Sequence, residues 1–266
     1  MEMYEEVRKQ FENCGYDIKH FNICDFEQSM QYNPFEYIER EHDVIDLVNI
    51  ILNCTYTGVD EEKNIDDAEK FLLNAIMLYL HRYRPKTEHD FEHVMQLIVA
   101  ADVPDNQENP QSELDKFFEQ IEIVDPHGLA LKMYKSFKST SGDSLKSVLA
   151  SVATKLTVFN YSQIEKLTCA DTISLEELND KKCALIVVKP PVDNGFLFLV
   201  EMMICQVNAL YYGNILNMDM QEEYGKQSVS NWIKNEDDKT SRQLIDSWMR
   251  RDFERKVSDK EDEFFF

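Results

Sequence analysis

The two stretches with strand character in this chain stand far apart, and what lies between them reads as helix. YDIKHFNICDF at 16–26 alternates apolar and polar residues and favours a strand. CALIVV at 183–188 is a short β-branched run of the kind that fills a buried strand. A chain with strands only near its two ends cannot build a sandwich or barrel, which needs many short strands joined by tight turns. Glycine and proline, seven of each in 266 residues, are too scarce for those turns. The two strands, taken as 17–24 and 183–188, can pair as a minimal sheet, which leaves their outer edges open.

Helical signals fill the rest. A short helix over 3–13 ends at Gly15, suited to a left-handed cap. A helix followed by a strand is the back half of a βαβ unit whose first strand is not in the sequence. Asn33-Pro34 marks a turn. Asp43 is positioned to cap a helix through VIDLVNIILN. Residues 65–83 predict a longer helix, opened by Asp66 or Asp67, with Phe71, Leu72, Ala75, Ile76, Leu78 and Tyr79 at helical spacing and Pro85 as its stop. Further helices are expected over 88–101, 112–123 and 129–138. Another runs through SLKSVLASVATKL, capped by Ser141 or Asp143. A short helix near 161–167 and a helical turn at 174–178 precede the second strand, and an apolar helix spans 195–213. The predicted division is an α/β fragment over 1–35, an all-α domain over 36–180, a strand–helix fragment over 181–216, and a polar, acidic, partly helical tail over 217–266.

Charge narrows the partners. The net charge is −22. Residues 1–128 hold 10 basic and 29 acidic groups, whereas 129–166 hold 6 basic and 2 acidic groups. Most of this surface repels nucleic acid, and only the middle block is suited to approach a phosphate backbone. In that block Lys132, Lys135 and Lys138 fall at a spacing of three on one helical stripe. Lys146 and Lys155 follow on the next helix, and Tyr134, Phe137 and Phe159 interleave. Such a pattern suits weak single-stranded DNA contact or cargo contact, with rings available for stacking. The competing reading is a pair of amphipathic helices with solvated lysines and buried rings.

Catalytic signatures are missing from these 266 residues. No G-x-x-x-x-G-K-[ST] loop occurs, and STSGDSLKS at 139–147 is explained by helix capping. No apolar strand ends in adjacent Asp-Glu; CALIVV runs into Lys189-Pro190-Pro191, and Asp193 reads as a turn or cap residue. His89 and His93, four apart, suggest one helix face but need further ligands to hold a metal. The six cysteines form no C-x-x-C pair and read as reduced, small hydrophobic residues. No catalytic, cofactor-binding or metal-binding residues are assigned. The N-terminus is charged and no apolar run reaches the ~18–20 residues that cross a bilayer, so a soluble, cytoplasmic chain is expected.

The run GYDIKHFNICDFEQSMQYNPFEYI resembles the segment just past the first nucleotide motif of TraG-like coupling proteins of type IV conjugative secretion. The likeness continues in order through HDVIDLVNIIL, DDAEKFLLNAIMLYL, FEHVMQLIVAADV, HGLALKMYKSFK, GDSLKSVLASVATKL and ALIVVKPPVDNGFLFLVEMMICQVNALYY, across about residues 5–213. It implies a mainly α chain in which an all-α domain is inserted between fragments of a RecA-like α/β domain. Family members are membrane-anchored ATP- and magnesium-dependent motors that bring relaxase–DNA cargo to the secretion channel. The motifs for ATP have no positions to map onto here. The chain therefore resembles a truncated coupling protein that binds a relaxase, other relaxosome proteins or other coupling-protein subunits and does not itself hydrolyse ATP. One alternative is a piece of a split motor completed by partner chains; another is a freestanding helical interaction module.

Overall fold

The computed structural model describes residues 2–55, 67–103, 111–139, 142–180, 182–190 and 195–212. Residues 1–211 form one unit, and 212–266 group separately. The partly helical tail expected over 217–266 lies outside the described residues, as do Ser141 and Asp193.

Helix α1 (Glu2–Asn13) ends where the sequence places its cap. Gly15 takes φ 76°, left-handed backbone that glycine enters without a Cβ penalty. The Tyr16 N–H then reaches back to the Phe11 carbonyl at 3.0 Å. The Tyr16 and Phe11 rings pack edge-on at 5.3 Å, the apolar contact that accompanies this type of helix end. Strand β1 (Asp17–Asn22) follows. It stops because the Asn22 side-chain carbonyl accepts the Cys24 and Asp25 N–H groups at 2.9 and 3.0 Å, turning the chain.

Strand β2 (Cys183–Val188) pairs with β1 in parallel, Asp17 opposite Cys183 through Asn22 opposite Val188. The expected minimal sheet is therefore present. The expected burial of β2 is not: each of its six residues is half-exposed. A strand with one neighbour cannot be covered on all sides by a small helical body, whatever its apolar content.

The Asn33-Pro34 turn is a 3-10 turn over Pro34–Tyr37, and it is buried rather than superficial. Asn33 caps it, its side chain accepting the Phe35 N–H at 3.0 Å. Helix α2 (Glu41–Cys54) starts at Arg40, and Asp43 acts from inside the first turn by accepting the Arg40 N–H at 2.7 Å. The Asp43 carboxyl lies below the ordinary carboxylate range; burial would raise it, and the Arg40 guanidinium with the Arg40 and Glu39 N–H groups outweighs that.

Helix α3 (Asp67–Tyr83) is the axis of the helical body. Residues 72–80 are buried without interruption, which is the signature of a helix enclosed on all sides rather than amphipathic. Around it pack α2, α4 (Phe91–Ala100), α6 (Leu129–Lys138) and α7 (Gly142–Leu156), with α5 (Glu113–Val124) against α4 and α6. Each starts within a few residues of its expected position. Asp90 and Ser112 cap α4 and α5 through the His93 and Asp115 N–H groups at 2.9 and 3.0 Å. Because α4 begins only at Phe91, His89 precedes the helix, so His89 and His93 do not share a helix face.

Helix α8 (Ser162–Thr168), the short α9 (Glu177–Asp180) and α10 (Leu197–Tyr212) complete the described elements. The helical turn expected at 174–178 begins later than predicted, after Ser174 with φ 54°. The core is continuous from Phe21 and Ile23 through the helices to Leu199 and Met203.

A polar knot joins the segment after β1 to the segment before β2. The Asp171 carboxylate accepts the Tyr37 hydroxyl at 2.7 Å and the Asn33 and Ser174 N–H groups at 3.1 and 2.9 Å. Nearby, the Tyr32 hydroxyl donates to the Gln206 carbonyl oxygen, and the Gln206 amide donates to the Pro34 carbonyl at 2.8 Å. Burial lifts the Asp171 carboxyl above its ordinary value, against the lowering effect of the Tyr37, Ser174 and Asn33 bonds. A carboxyl raised on folding contributes most stability below its unfolded value and loses that contribution as pH rises through its folded value. Asp171→Ala is expected to cost about 2–4 kcal/mol by stranding three donors. Asp171→Asn is expected to fall further behind the parent chain as pH is lowered from neutrality. Urea denaturation at several pH values measures both.

Candidate functional site

Helices α6 and α7 carry the five lysines singled out in the sequence. Helix α6 buries Leu131, Tyr134 and Phe137, which turns Lys132, Lys135 and Lys138 outward. The stripe is real in three dimensions, but its charge is largely committed. Lys135 meets Glu122 at 2.5 Å and Lys138 meets Asp115 at 3.0 Å, both on α5. Lys132 and Lys146 are exposed. Lys155 is not on this surface: it is 14% exposed and pairs with Glu69, which is 5% exposed. Ser151 donates to the same carboxylate at 2.5 Å.

Asp115 is the hub of the α5–α6 contact. It accepts from Ser112, from the Tyr134 hydroxyl at 2.8 Å and from Lys138. Burial would raise its carboxyl, but the Ser112 N–H, Lys138, the Ser112 hydroxyl and Tyr134 together hold it below the usual range. Burial, then the bond to Asp115, pushes the Tyr134 hydroxyl well above an ordinary tyrosine.

The rings expected to stack on bases are core residues. Tyr134 lies flat on Phe118 at 4.0 Å, Phe159 lies flat on Phe91 at 3.6 Å, and Phe137 is 2% exposed. None of the three presents a face to a nucleic acid. The bland reading of those aromatics, as the inner sides of amphipathic helices, is the correct one.

The other candidates resolve in the same way. The His89 Nε2 meets the Leu80 and Arg84 carbonyls at 2.9 and 3.2 Å, while His93 Nδ1 meets the capping Asp90 at 2.7 Å. Among the described residues no group of three or more His, Cys, Asp or Glu side chains is placed to hold a metal ion. None of the six cysteines forms a disulfide, but Cys14, Cys24, Cys169 and Cys205 are exposed, so they are not core hydrophobes. Partial burial pushes the Cys183 thiol up, away from the reactive thiolate. The knot built on Asp171, Tyr37, Tyr32 and Gln206 carried no motif; its one trace in the sequence is Gln206 interrupting the apolar run of α10.

This arrangement is a helical body in which Lys135, Lys138 and Lys155 are paired with carboxylates, attached to a parallel strand pair. Residues 1–225 match the family described as type IV secretory system conjugative DNA transfer, and the chain belongs to that family. The match agrees with the TraG-like coupling-protein resemblance and runs past Tyr212, beyond the segment that the motifs alone cover. No curated protein matches the chain. Among the described residues no helix is long and apolar enough to cross a membrane.

Proposed function

We propose that, within conjugative DNA transfer, this polypeptide docks a protein cargo on its helical body, with no ATP hydrolysis by the 266 residues themselves. The cargo is a relaxase or another relaxosome protein, or a further coupling-protein subunit. This reading takes β1, β2 and α10 as parts of a RecA-like domain of the family's motor. The observation that carries it is the commitment of Lys135, Lys138 and Lys155 to Glu122, Asp115 and Glu69. With those cations paired, the helices offer a partner Lys132 and Lys146 beside a larger number of carboxylates and exposed apolar side chains such as Ile123, 82% exposed, and Val124. Such a surface suits a protein better than a phosphate backbone.

The test uses the purified chain, a purified relaxase of the same transfer system and no DNA. Retention of the relaxase with no ATP turnover above background is expected. Turnover by the chain alone, or retention only when DNA is supplied, overturns the reading. Fluorescence polarisation with labelled single-stranded DNA at low salt examines the lysines directly. Reversing Lys135 and Lys138 to Glu is expected to change the affinity less than twofold, since each already has a carboxylate partner. A tenfold loss would instead make this stripe a DNA contact, with Lys132 and Lys146 as its exposed flanks.

A further inference from the structure

One histidine holds the end of α3. The His89 Nε2 lies 2.9 Å from the Leu80 carbonyl and 3.2 Å from the Arg84 carbonyl. A ring nitrogen that meets two acceptors carries its proton, so His89 donates to carbonyls that the end of a helix leaves short of partners. The Arg84 N–H, 3.1 Å from the same Leu80 carbonyl, closes the last turn beside it. The His89 carbonyl in turn accepts the Asn33 side-chain amide at 2.9 Å. One residue thus ties α3 to the buried turn that follows β1. On the last turn of α3 the His81 ring stands 6.0 Å from the His89 ring. It is half-buried.

We propose that the end of α3 is a proton-sensitive joint, closed while His81 is neutral and loosened when acid charges its ring beside that of His89. The surroundings of His81 favour the neutral form. Burial does so first and His89 next; Glu41 and Asp43 on α2 work the other way, and Lys86 sides with burial, so the ring is held below an ordinary histidine. The two carboxylates are already engaged, Glu41 by Arg82 at 2.8 Å and Asp43 by Arg40 at 2.9 Å. Arg84 and Glu88 pair with each other at 2.6 Å. A histidine lowered on folding leaves stability intact above its unfolded value and takes it away as pH falls below that value. His93, in the first turn of α4, is placed differently: its Nδ1 lies 2.7 Å from Asp90, so a charge there gains a partner. Acid therefore acts on the end of α3 and not on the cap of α4. The inference does not depend on cargo docking by the helices, and either can fail alone.

NMR and amide exchange on the full chain test it between pH 7.5 and 5.0. The His81 Cε1–H resonance should titrate below the same histidine in the urea-unfolded chain. Over that range the protection of the Arg84 and His89 amides, corrected for intrinsic exchange rates, should fall at least threefold. Protection at Thr55, whose N–H meets the Ile51 carbonyl at the far end of α2, should change less than twofold. The His81→Gln variant should keep its Arg84 and His89 protection throughout, because its side chain takes up no proton. His81 titrating at its unfolded value overturns the proposal, as does unchanged protection at Arg84 and His89. An equal fall at Thr55 makes the effect general acid unfolding, and an equal fall in the variant assigns it to another group; either result also overturns the proposal. The first three outcomes are read on the parent chain, whether or not the variant folds.

Discussion

Lys155→Ala should destabilise this protein by about 3–5 kcal/mol, the penalty for leaving one charge of a buried pair without its partner. The pair is Lys155 on α7 and Glu69 at the start of α3, with side chains 14% and 5% exposed. Ser151 supplies one hydrogen bond to the carboxylate and would remain, but a single hydroxyl does not balance a buried charge. Glu69→Ala should be comparably harmful, since it strands the ammonium. The double variant Glu69→Met with Lys155→Met should recover most of the loss, because apolar side chains of similar volume remove the desolvation penalty along with the attraction. Urea denaturation of the two single variants and the double variant closes the cycle. If each single variant costs under about 1 kcal/mol, the pair is behaving as a solvated surface bridge and its burial has no energetic consequence.

Phe159→Ala should cost about 3–5 kcal/mol, in the range seen when a fully packed aromatic is truncated. The Phe159 ring is 2% exposed. It lies face to face with Phe91 of α4 at 3.6 Å and meets the edge of Phe198 of α10 at 5.7 Å. Phe91 in turn packs edge-on against Phe35 of the buried turn at 5.3 Å. One ring thus links three parts of the core that are distant in sequence, and the cavity left by its removal borders all of them. Chemical denaturation measures the loss. Single-stranded DNA polarisation on the folded variant separates this role from base stacking: a core ring leaves the affinity of folded molecules unchanged, while a stacking ring would lower it at undiminished stability.

Much of the secondary structure was legible because its signals are local. Gly15 and Pro85 each act on a backbone a few residues away, so the helices they end stop close to where the sequence places them. That the two strands pair was also legible, since the sequence offers neither another partner; their parallel sense and register were not, because they depend on how the helices between them pack. The candidate site was legible only in outline. That Lys132, Lys135 and Lys138 share a stripe follows from helical geometry; that Glu122 and Asp115 stand opposite two of them depends on how α5 packs on α6.

By itself, then, the sequence determined a mainly helical chain with a minimal sheet, a strongly acidic balance, and the ordered motifs of a conjugative-transfer family. The helical and acidic character are properties of composition and periodicity, the family likeness is a resemblance carried by segments in order along the chain, and neither depends on how the elements are arranged. Tertiary structure alone decided which groups face water and which face each other. It enclosed α3 on every side, carried Lys155 inward to Glu69, set Phe159 between helices, and brought Ser29 and Met30 onto the outward N–H groups of Asn22 and His20. Burial and pairing are relations between residues far apart in sequence, fixed only once the chain has closed around its core, so no local pattern can carry them.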